Sequence, residues 1–308
     1  MKFLITGATG FVGSHVARLL VKQGHEVYAI IRENANIWRI SDIVDSIDIF
    51  HADLASESQK IEDYLGNVVP DICIHLAWYT EPTNYLNAKE NIYSLQASIN
   101  LLLQLSKIGC RRFIGVGTFF EYDFNLGYLS ESSTIKPLSL YATTKVAFSN
   151  VLQGFGSVHA MEIVWARLFC QYGPMEDERR LVAGTIVSLM RDQLMKTTKG
   201  EQVRDFLHIE DTASALCCLA CSNFTGEINI GSGYPITVKE ILSQISSLMG
   251  KYNLIDMGAL PYRTSETMFI CSNNYLLKEQ VNWQQKFNLT NGLEDTIRWY
   301  AENSDYGK

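Results

Sequence analysis

Three polar side chains in the middle of the chain have the types and spacing of a proton-transfer site. Tyr141 and Lys145, in YATTK, are four residues apart at the start of a predicted helix, so they share one helix face. A phenol with a pKa near ~10 is a poor acid–base catalyst at neutral pH, but an adjacent ammonium lowers that pKa by favouring phenolate. Thr118, in GTFFEYD, supplies a hydroxyl at the end of a predicted strand. The surrounding elements decide whether these side chains meet.

The first half of the chain alternates apolar, strand-like runs with segments of helical period. The strand-like runs are KFLIT, EVYAII, IDIF, DICIHLA, RRFIGVGT and MEIVWARLF, and the predicted helices span about 12–22, about 84–108 and a segment from about Tyr141. Continuous apolar strands separated by helices predict a parallel sheet that is covered on both faces. The predicted fold is an α/β, doubly wound parallel sheet of the Rossmann type.

The alternation of strands and helices loosens after Tyr172-Gly173-Pro174. One further strand, within 227–232, is expected to return to the sheet. We therefore predict a first domain over 1–170, to which 205–232 returns. A smaller, sequence-discontinuous C-terminal α/β substrate domain is predicted over 171–204 and 233–308.

The composition limits the possible partners. The 308 residues carry a formal net charge of −7 and no Lys/Arg block longer than a pair, which argues against nucleic acid and anionic membranes. MKFLITG lacks the zones of a signal peptide and no apolar run approaches the ~20 residues of a membrane span, so we expect a cytoplasmic protein. Seven cysteines, including the CxxC of Cys218 and Cys221, fit reduced thiols and helix packing, and no metal site is predicted.

A glycine-rich loop follows the first predicted strand and opens a helix, in MKFLITGATGFVG. Glycines there permit a tight turn and close approach of the backbone to a pyrophosphate, while the helix N-terminus offers free N–H groups and positive potential. We expect this loop to bind a dinucleotide cofactor. Its candidate contact residues are Gly7, Thr9, Gly10, Phe11, Val12 and Gly13.

The GxxGxxG spacing and the stretch TGATGFVGSH resemble the extended branch of the short-chain dehydrogenase/reductase superfamily, which comprises sugar-nucleotide epimerases, dehydratases and reductases. The resemblance recurs in order along nearly the whole chain, in Asp53-Leu54, HLAW at 75–78, RLFCQYGP at 167–174, RDFLHIED at 204–211, NIGSG at 229–233 and PYRTSE at 261–266. It implies that the second domain binds a nucleotide sugar.

The resemblance also implies roles for individual residues. Cofactor contacts are implied for Asp53, Leu54, Leu76 and Ala77. Thr118 is expected to hydrogen-bond the reacting oxygen, Tyr141 to carry the proton, and Lys145 to hold the nicotinamide ribose as well as to assist Tyr141.

The end of the second strand bears on the choice between NAD(H) and NADP(H). An NAD site places a carboxylate there for the ribose 2′-hydroxyl, whereas a 2′-phosphate is repelled by an acid and attracted by a cation. In NAD-using relatives the acid falls at the position of Ile31, and here Arg32 follows it. NADP(H) is therefore preferred. NAD(H) stays possible, because Glu33 has the same strand parity as Ile31.

Two phenylalanines, Phe119 and Phe120, directly follow Thr118. In the dehydratases that the chain resembles, these positions carry an Asp and a Glu that do acid–base work at sugar C5 and C6. Fucose-type 3,5-epimerase/reductases carry a cysteine two residues after the hydroxyl. A phenylalanine cannot transfer a proton, so the elimination of water is excluded. The reaction that the site can still perform is hydride transfer at one carbinol carbon, and the two rings are expected to lie beneath a deoxygenated sugar. The alternative is that both rings belong to the core.

Two arginines match the pyrophosphate-binding arginines of extended family members. They are Arg204 and Arg263, and a planar guanidinium suits phosphate oxygens. Cys170 stands where sugar-nucleotide epimerases usually carry an Asn that contacts the ligand. It is a candidate substrate contact, with a small buried residue at a strand end as the alternative.

These resemblances imply an enzyme that uses NADPH to reduce the 4-keto group of a nucleotide-linked 6-deoxy or 3,6-dideoxy hexose in deoxysugar biosynthesis. TTKGEQVRDFLHIED, at 197–211, is similar to the corresponding part of CDP-abequose and CDP-paratose synthases. The alternative is an NAD-dependent nucleotide-sugar 4-epimerase, which uses the same three catalytic residues. A non-catalytic dinucleotide sensor would not need them. By resemblance, the helix at 84–108 and the helix after Tyr141 pair with a second subunit in a homodimer.

Overall fold

The computed structural model describes residues 1–263 and 266–303. Within these ranges the strands are β1 (Lys2–Thr6), β2 (Glu26–Ile31), β3 (Asp48–His51), β4 (Ile72–His75), β5 (Arg112–Thr118), β6 (Tyr128–Leu129), β7 (Glu162–Leu168), β8 (Cys170–Tyr172), β9 (Met195–Thr197), β10 (Val203–His208), β11 (Gly226–Ile230), β12 (Pro235–Thr237), β13 (Ile255–Met257) and β14 (Cys271–Ser272). The α-helices are α1 (Phe11–Lys22), α2 (Ser58–Val68), α3 (Glu90–Lys107), α4 (Leu140–Val158), α5 (Leu181–Met190), α6 (Ile209–Cys221), α7 (Val238–Leu248), α8 (Tyr275–Glu279) and α9 (Leu289–Glu302).

Seven of these strands form one parallel sheet in the order β11-β7-β5-β4-β1-β2-β3. The chain builds outward from β1 to β3 and then resumes with β4 on the other side of β1, so the strand order reverses between β1 and β4. Thr6 at the end of β1 is in register with His75 at the end of β4. In open α/β sheets, ligands bind in the crevice at the carboxyl ends of the strands beside such a reversal. The predicted doubly wound fold is confirmed.

Both faces of the large sheet are covered by helices, which explains the unbroken apolar runs in the sequence. One face packs against α1 and α6, through side chains such as Val16 and Leu216. The other face packs against α2, α3 and α4, through side chains such as Leu65, Leu101 and Phe148. A strand between two covered faces has no solvated side, so apolar residues occupy successive positions.

A smaller α/β unit lies in the C-terminal half of the chain. β8, β10 and β12 form a three-stranded sheet, β9 pairs with β13, and α5, α7 and α9 pack together around Tyr172, Ile241 and Leu293. β11 joins the edge of the large sheet by pairing in parallel with β7, and α6 packs against α1. The segment 205–208 belongs to β10 and so to the small sheet. The bounds of the two domains stay a prediction.

The helix predicted from about residue 84 starts later than expected. α3 begins at Glu90, and Tyr85–Asn87 form a separate 3₁₀ turn. The side-chain amide of the buried Asn91 donates to the carbonyl oxygens of Tyr85 (2.6 Å) and Ala88 (2.8 Å). Because these bonds satisfy carbonyls that a continuous helix would bond internally, the chain before Glu90 is held as a turn.

The helix predicted around the cysteines is α6, where Cys217 is buried and Cys218 and Cys221 are exposed free thiols. Across the described residues, none of the helices combines the length and the apolar character that crossing a membrane requires.

Candidate active site

The glycine loop connects the end of β1 to the start of α1. Gly7 has a φ of +76°, and a Cβ on it would lie 2.9 Å from the backbone nitrogen of Ala77. A Cβ on Gly13 would lie 2.1 Å from the carbonyl oxygen of Gly7. Gly10, the N-cap of α1, brings no side chain to the first N–H groups of the helix. The loop therefore forms a bare backbone cradle that fits the pyrophosphate of a dinucleotide.

The other residues predicted to contact the cofactor surround this cradle. Leu76 and Ala77 follow β4 and touch Gly7. Thr9, Phe11 and Val12 are partly buried in the loop and the first turn of α1.

Charged residues follow β2 and β3 at the carboxyl edge of the large sheet. Arg32 is exposed and, among the residues that the structure describes, forms no ion pair. The Glu33 carboxylate lies 4.0 Å from Nδ1 of His51, on β3 and thus on the side of β2 away from β1. Asp53 accepts a bond from the Ala55 N–H at 2.7 Å, so part of its carboxylate is used in its own turn. Leu54 beside it is partly buried.

Thr118, Tyr141 and Lys145 meet at the carboxyl end of β5. Thr118 is the last residue of β5, and the Ser139 side chain caps α4 so that Tyr141 lies in its first turn. All three side chains are buried. The Lys145 ammonium donates to the carbonyl of Val116 at 2.8 Å and lies 5.9 Å from the centroid of the Tyr141 ring.

The Lys145 ammonium is also packed against an indole. Nζ lies 3.8 Å from the centroid of the Trp78 ring, within the range of a cation–π contact. Trp78 belongs to the HLAW motif, and its indole N–H donates to the side chain of Asn91 at 2.9 Å. The motif therefore supports the lysine as well as the cofactor cradle.

The expectation that Lys145 lowers the pKa of Tyr141 stays a prediction, and burial has the largest effect on the phenol in this structure. Burial raises the pKa of the phenol, the nearby Tyr85 and Glu121 raise it further, and an interaction with the Thr118 side chain lowers it. Burial also lowers the pKa of Lys145 to about 7, against an opposing effect of Glu121. Desolvation therefore keeps the phenol protonated at neutral pH, while the Lys145 amine is bound to a carbonyl and packed against an indole.

The two phenylalanines after Thr118 have different surroundings. Phe119 is 9% exposed and belongs to an apolar cluster with Phe169 and Leu129, so it is a core residue. Phe120 is partly buried, stacks on Phe119 at 4.4 Å between ring centroids, and meets the Tyr141 ring edge-on at 6.5 Å. The core alternative therefore holds for Phe119, whereas Phe120 borders the candidate catalytic phenol.

Arg204 and Cys170 lie on the neighbouring strands β10 and β8. Burial raises the pKa of Cys170 to about 12, and Arg204 counteracts this effect. Arg204 donates to the carboxylate of Glu266 at 2.7 Å. Arg263 is exposed, and its carbonyl oxygen accepts from the N–H of Glu266 at 3.0 Å. Glu266 thus links the two predicted arginines; Thr264 and Ser265 of the PYRTSE motif lie outside the described residues.

Sequence reasoning missed several residues of the site. Glu121 is fully buried and accepts from the backbone N–H of Thr118 at 2.9 Å and from Arg167 Nε at 2.6 Å. The sequence pattern could have identified Glu121, because Thr118-Phe-Phe-Glu121 has the spacing of a capping box. Tyr85 meets Tyr141 edge-on at 5.0 Å, and the Arg180 guanidinium lies 5.7 Å from the Tyr85 ring. Neither has a local signal, since both reach the site from distant turns.

Comparisons with known proteins address the family and the fold. A sequence profile described as the NAD dependent epimerase/dehydratase family matches residues 3–231. The CDP-abequose synthase of Salmonella typhimurium is 27% identical to this chain, over 96% of the chain and 97% of its own length.

Two solved structures show the same fold. The UDP-glucose 4-epimerase of Thermotoga maritima, determined with UDP-glucose, has a TM-score of 0.89 and 21% identity over 99% of this chain and 100% of its own. The dTDP-glucose 4,6-dehydratase of Bacillus anthracis, in complex with NAD, has a TM-score of 0.87 and 19% identity over 99% of this chain and 98% of its own. Because the profile spans well over half of the sequence, the chain belongs to the NAD dependent epimerase/dehydratase family of enzymes.

Proposed function

We propose that the protein is an NADPH-dependent reductase of the 4-keto group of a nucleotide-linked 6-deoxy or 3,6-dideoxy hexose. The observation that carries the proposal is the pair Phe119 and Phe120 behind Thr118, with Phe120 beside the Tyr141 ring. No acid–base side chain is available at these two positions for water elimination, and the apolar edge suits a sugar that lacks a hydroxyl. The similarity to a CDP-abequose synthase supports the same class of substrate.

The protonation of the site fits a reduction. The bound reduced nicotinamide would supply a hydride to C4. Tyr141, kept as a neutral phenol by its raised pKa, donates its proton to the C4 oxygen. The Thr118 hydroxyl donates a hydrogen bond to the same oxygen and stabilises the developing alkoxide. The Lys145 ammonium favours the phenolate that proton transfer leaves on Tyr141.

The surroundings of β2 support a preference for NADPH. The glycine cradle and residues 76–77 would hold the pyrophosphate end of the cofactor. Arg32 offers an exposed guanidinium next to the expected position of a 2′-phosphate. The Glu33 carboxylate lies toward His51 and away from β1, which supports Arg32 as the residue that meets the 2′ position.

We propose that Arg204 and Arg263 bind the diphosphate of the nucleotide sugar. Arg204 is 15% exposed in its side chain and Glu266, its partner, 20%, so the pair is only partly shielded from solvent. A diphosphate carries more charge than the single carboxylate of Glu266 and can replace it at the guanidinium.

A homodimer is part of the proposal. α3 and α4 pack against each other and expose large apolar side chains to solvent. These are Ile92, Tyr93, Leu103, Val151 and Val158. Such a surface on a helix pair suits burial against the same pair of a second subunit.

The test is a stoichiometry experiment with 4-keto-6-deoxyglucose linked to CDP, dTDP, GDP or UDP. We expect one nucleotide to be preferred and one NADPH to be oxidised for each sugar reduced, as measured by absorbance and by chromatography of the sugar. Tyr141→Phe is the control, and we expect its kcat to fall by at least ~10²-fold while NADPH binding persists. Sugar interconversion without net NADPH oxidation would instead identify a 4-epimerase. Formation of a 4-keto-6-deoxy sugar from an intact nucleotide-linked hexose would contradict the role given to the phenylalanines.

A further inference from the structure

Glu121 closes the turn that follows the catalytic threonine. Thr118 and Glu121 form a reciprocal capping box around the 3₁₀ turn Phe119–Glu121. The Glu121 carboxylate accepts from the Thr118 N–H at 2.9 Å, and the Thr118 hydroxyl oxygen accepts from the Phe120 N–H at 3.3 Å. The backbone from which the Thr118 hydroxyl projects is therefore fixed by Glu121.

Gly117 on β5 leaves the space that the Glu121 carboxylate occupies, and Trp165 on β7 borders that space. A Cβ on Gly117 would lie 2.5 Å from Glu121 Oε1 and 2.5 Å from Trp165 Nε1. The Trp165 indole N–H donates to both oxygens of Glu121, at 3.2 and 2.9 Å. The same indole lies 5.9 Å from the Lys145 ammonium, so one ring borders both the carboxylate and the catalytic lysine.

The hydrogen-bond partners of Glu121 favour its ionised form. Its carboxylate accepts from three N–H groups, those of Thr118, Trp165 and Arg167. Three N–H donors suit an ionised carboxyl group, because a carboxylate only accepts hydrogen bonds. Burial raises the pKa of Glu121, and these three donors oppose that effect.

The carboxylates around Glu121 outnumber the guanidinium that they face. Arg167 pairs with Glu121 through Nε at 2.6 Å and with Glu227 through Nη2 at 2.7 Å. Two carboxylates thus share one guanidinium. The titratable and charged groups that face Glu121 or Lys145 from neighbouring elements are His75, Tyr85, Tyr122, Glu131, Tyr141, Arg167 and Glu227. His75, with a pKa lowered to about 3, is neutral, so the cations near Tyr141 are Lys145 and the guanidinium of Arg180 beside Tyr85.

We propose that Glu121 is a positioning residue of this active site, which fixes the backbone of Thr118 and supplies a negative charge that favours the ammonium form of Lys145. The part that concerns Thr118 rests on the proposed function. The part that concerns Lys145 holds for any reaction in which the lysine must be charged, and it can be measured without a substrate.

The first test reads Lys145 directly. Lysine side chains labelled with ¹³C at Cε are titrated by NMR in the full chain, and Lys145→Arg identifies the signal. We expect Glu121→Gln to lower the titration midpoint of Lys145 by at least about one pH unit. Glu227→Gln is the matched control, because it removes a carboxylate from the same guanidinium without touching Thr118, and we expect a shift below about 0.3 unit. Equal midpoints in the wild type and Glu121→Gln would overturn the proposal.

A second variant separates position from charge. Glu121→Asp keeps the negative charge but is one methylene too short to bond the Thr118 N–H. With CDP-4-keto-6-deoxyglucose, or the dTDP or UDP counterpart that the wild type reduces, we expect kcat to fall about 10-fold and the alkaline limb of the pH profile to stay in place. An unchanged kcat would overturn the positioning role, even if Glu121→Gln does not fold. Absence of turnover by the wild type on every sugar would count against the proposed function alone.

Discussion

The two charged residues that follow β2 have different environments, although they are adjacent in sequence. Glu33 lies against His51 on β3, at 4.0 Å between the carboxylate and Nδ1. Arg32 is exposed. Because a guanidinium binds phosphate and a carboxylate repels it, these residues make opposite contributions to the choice between NADPH and NADH.

Replacing Arg32 with Ala should weaken NADPH binding by about 10-fold or more and leave NADH binding nearly unchanged, since only NADPH offers a 2′-phosphate. Fluorescence titration of both cofactors measures the effect. Glu33→Ala is the matched control, and we expect it to change the affinity for either cofactor by less than about 2-fold. A loss of NADH affinity in Glu33→Ala would return the recognition role to that carboxylate.

At the scale of elements, β5 is a buried strand that leaves room beside its backbone for side chains of neighbouring elements. The strand is buried along its whole length, yet it carries glycines at 115 and 117. Neither has a positive φ. Their function is steric, because a Cβ on Gly115 would lie 2.7 Å from the Trp165 ring and one on Gly117 would meet the Glu121 carboxylate. Because β5 carries no side chain at these two positions, an indole and a carboxylate can lie behind Thr118.

Gly117→Ala should therefore destabilise the protein by about 1–3 kcal/mol, the usual cost of overpacking a filled core. Gly154→Ala is the matched control, since Gly154 is in the exposed part of α4 and a Cβ there would meet nothing within 4 Å. We expect that change to stabilise by about 0.5–1 kcal/mol, because alanine favours helix. Urea unfolding measures both. Equal effects of the two substitutions would mean that β5 tolerates the added methyl group.

The sequence predicts elements better than it predicts their junctions. Unbroken apolar runs and glycine spacing are local signals, and they identify the strands, the cofactor loop and the helix that carries Tyr141 and Lys145. The predicted start of α3 was wrong by several residues, because the Asn91 side chain donates to carbonyls of the preceding turn. The hydrophobic periodicity of the sequence carries no information about such a contact. Glu121 has a local capping signal, but its partners Trp165 and Arg167 come from β7 and are known only once the sheet is assembled.

At the scale of the whole molecule, two buried histidines make folding sensitive to acid. His15, on α1, donates to the carbonyl of Pro174 at 3.1 Å and so connects the cofactor helix to the segment after β8. Burial lowers its pKa to about 4, with Arg18 acting in the same direction. Burial and Lys145 lower the pKa of His75 to about 3. In each case the histidine binds a proton less readily in the folded state than in the unfolded chain.

The contribution of each histidine to stability should fall as pH drops from about 6.5, the unfolded value, toward about 4, because the unfolded histidine then binds a proton that the folded one does not. From about pH 7.5 to about pH 5 we expect a loss of about 2 kcal/mol for each histidine. Urea unfolding at the two pH values measures it. His15→Gln keeps a donor for Pro174 but does not titrate, so it should reduce the loss by about 2 kcal/mol. A loss of the same size in the variant would exclude His15 as its source.

The steric fit between Gly117 and the Glu121 carboxylate has a consequence for homologous sequences. A relative with small residues in place of both Glu121 and Trp165 would no longer need a glycine at position 117, and its counterpart of Arg167 would lose one of two carboxylates. These four positions are therefore expected to covary across the family as a unit. Substitution at one of them in a homologue would indicate that the counterparts of Thr118 and Lys145 in that homologue are held by a different set of contacts.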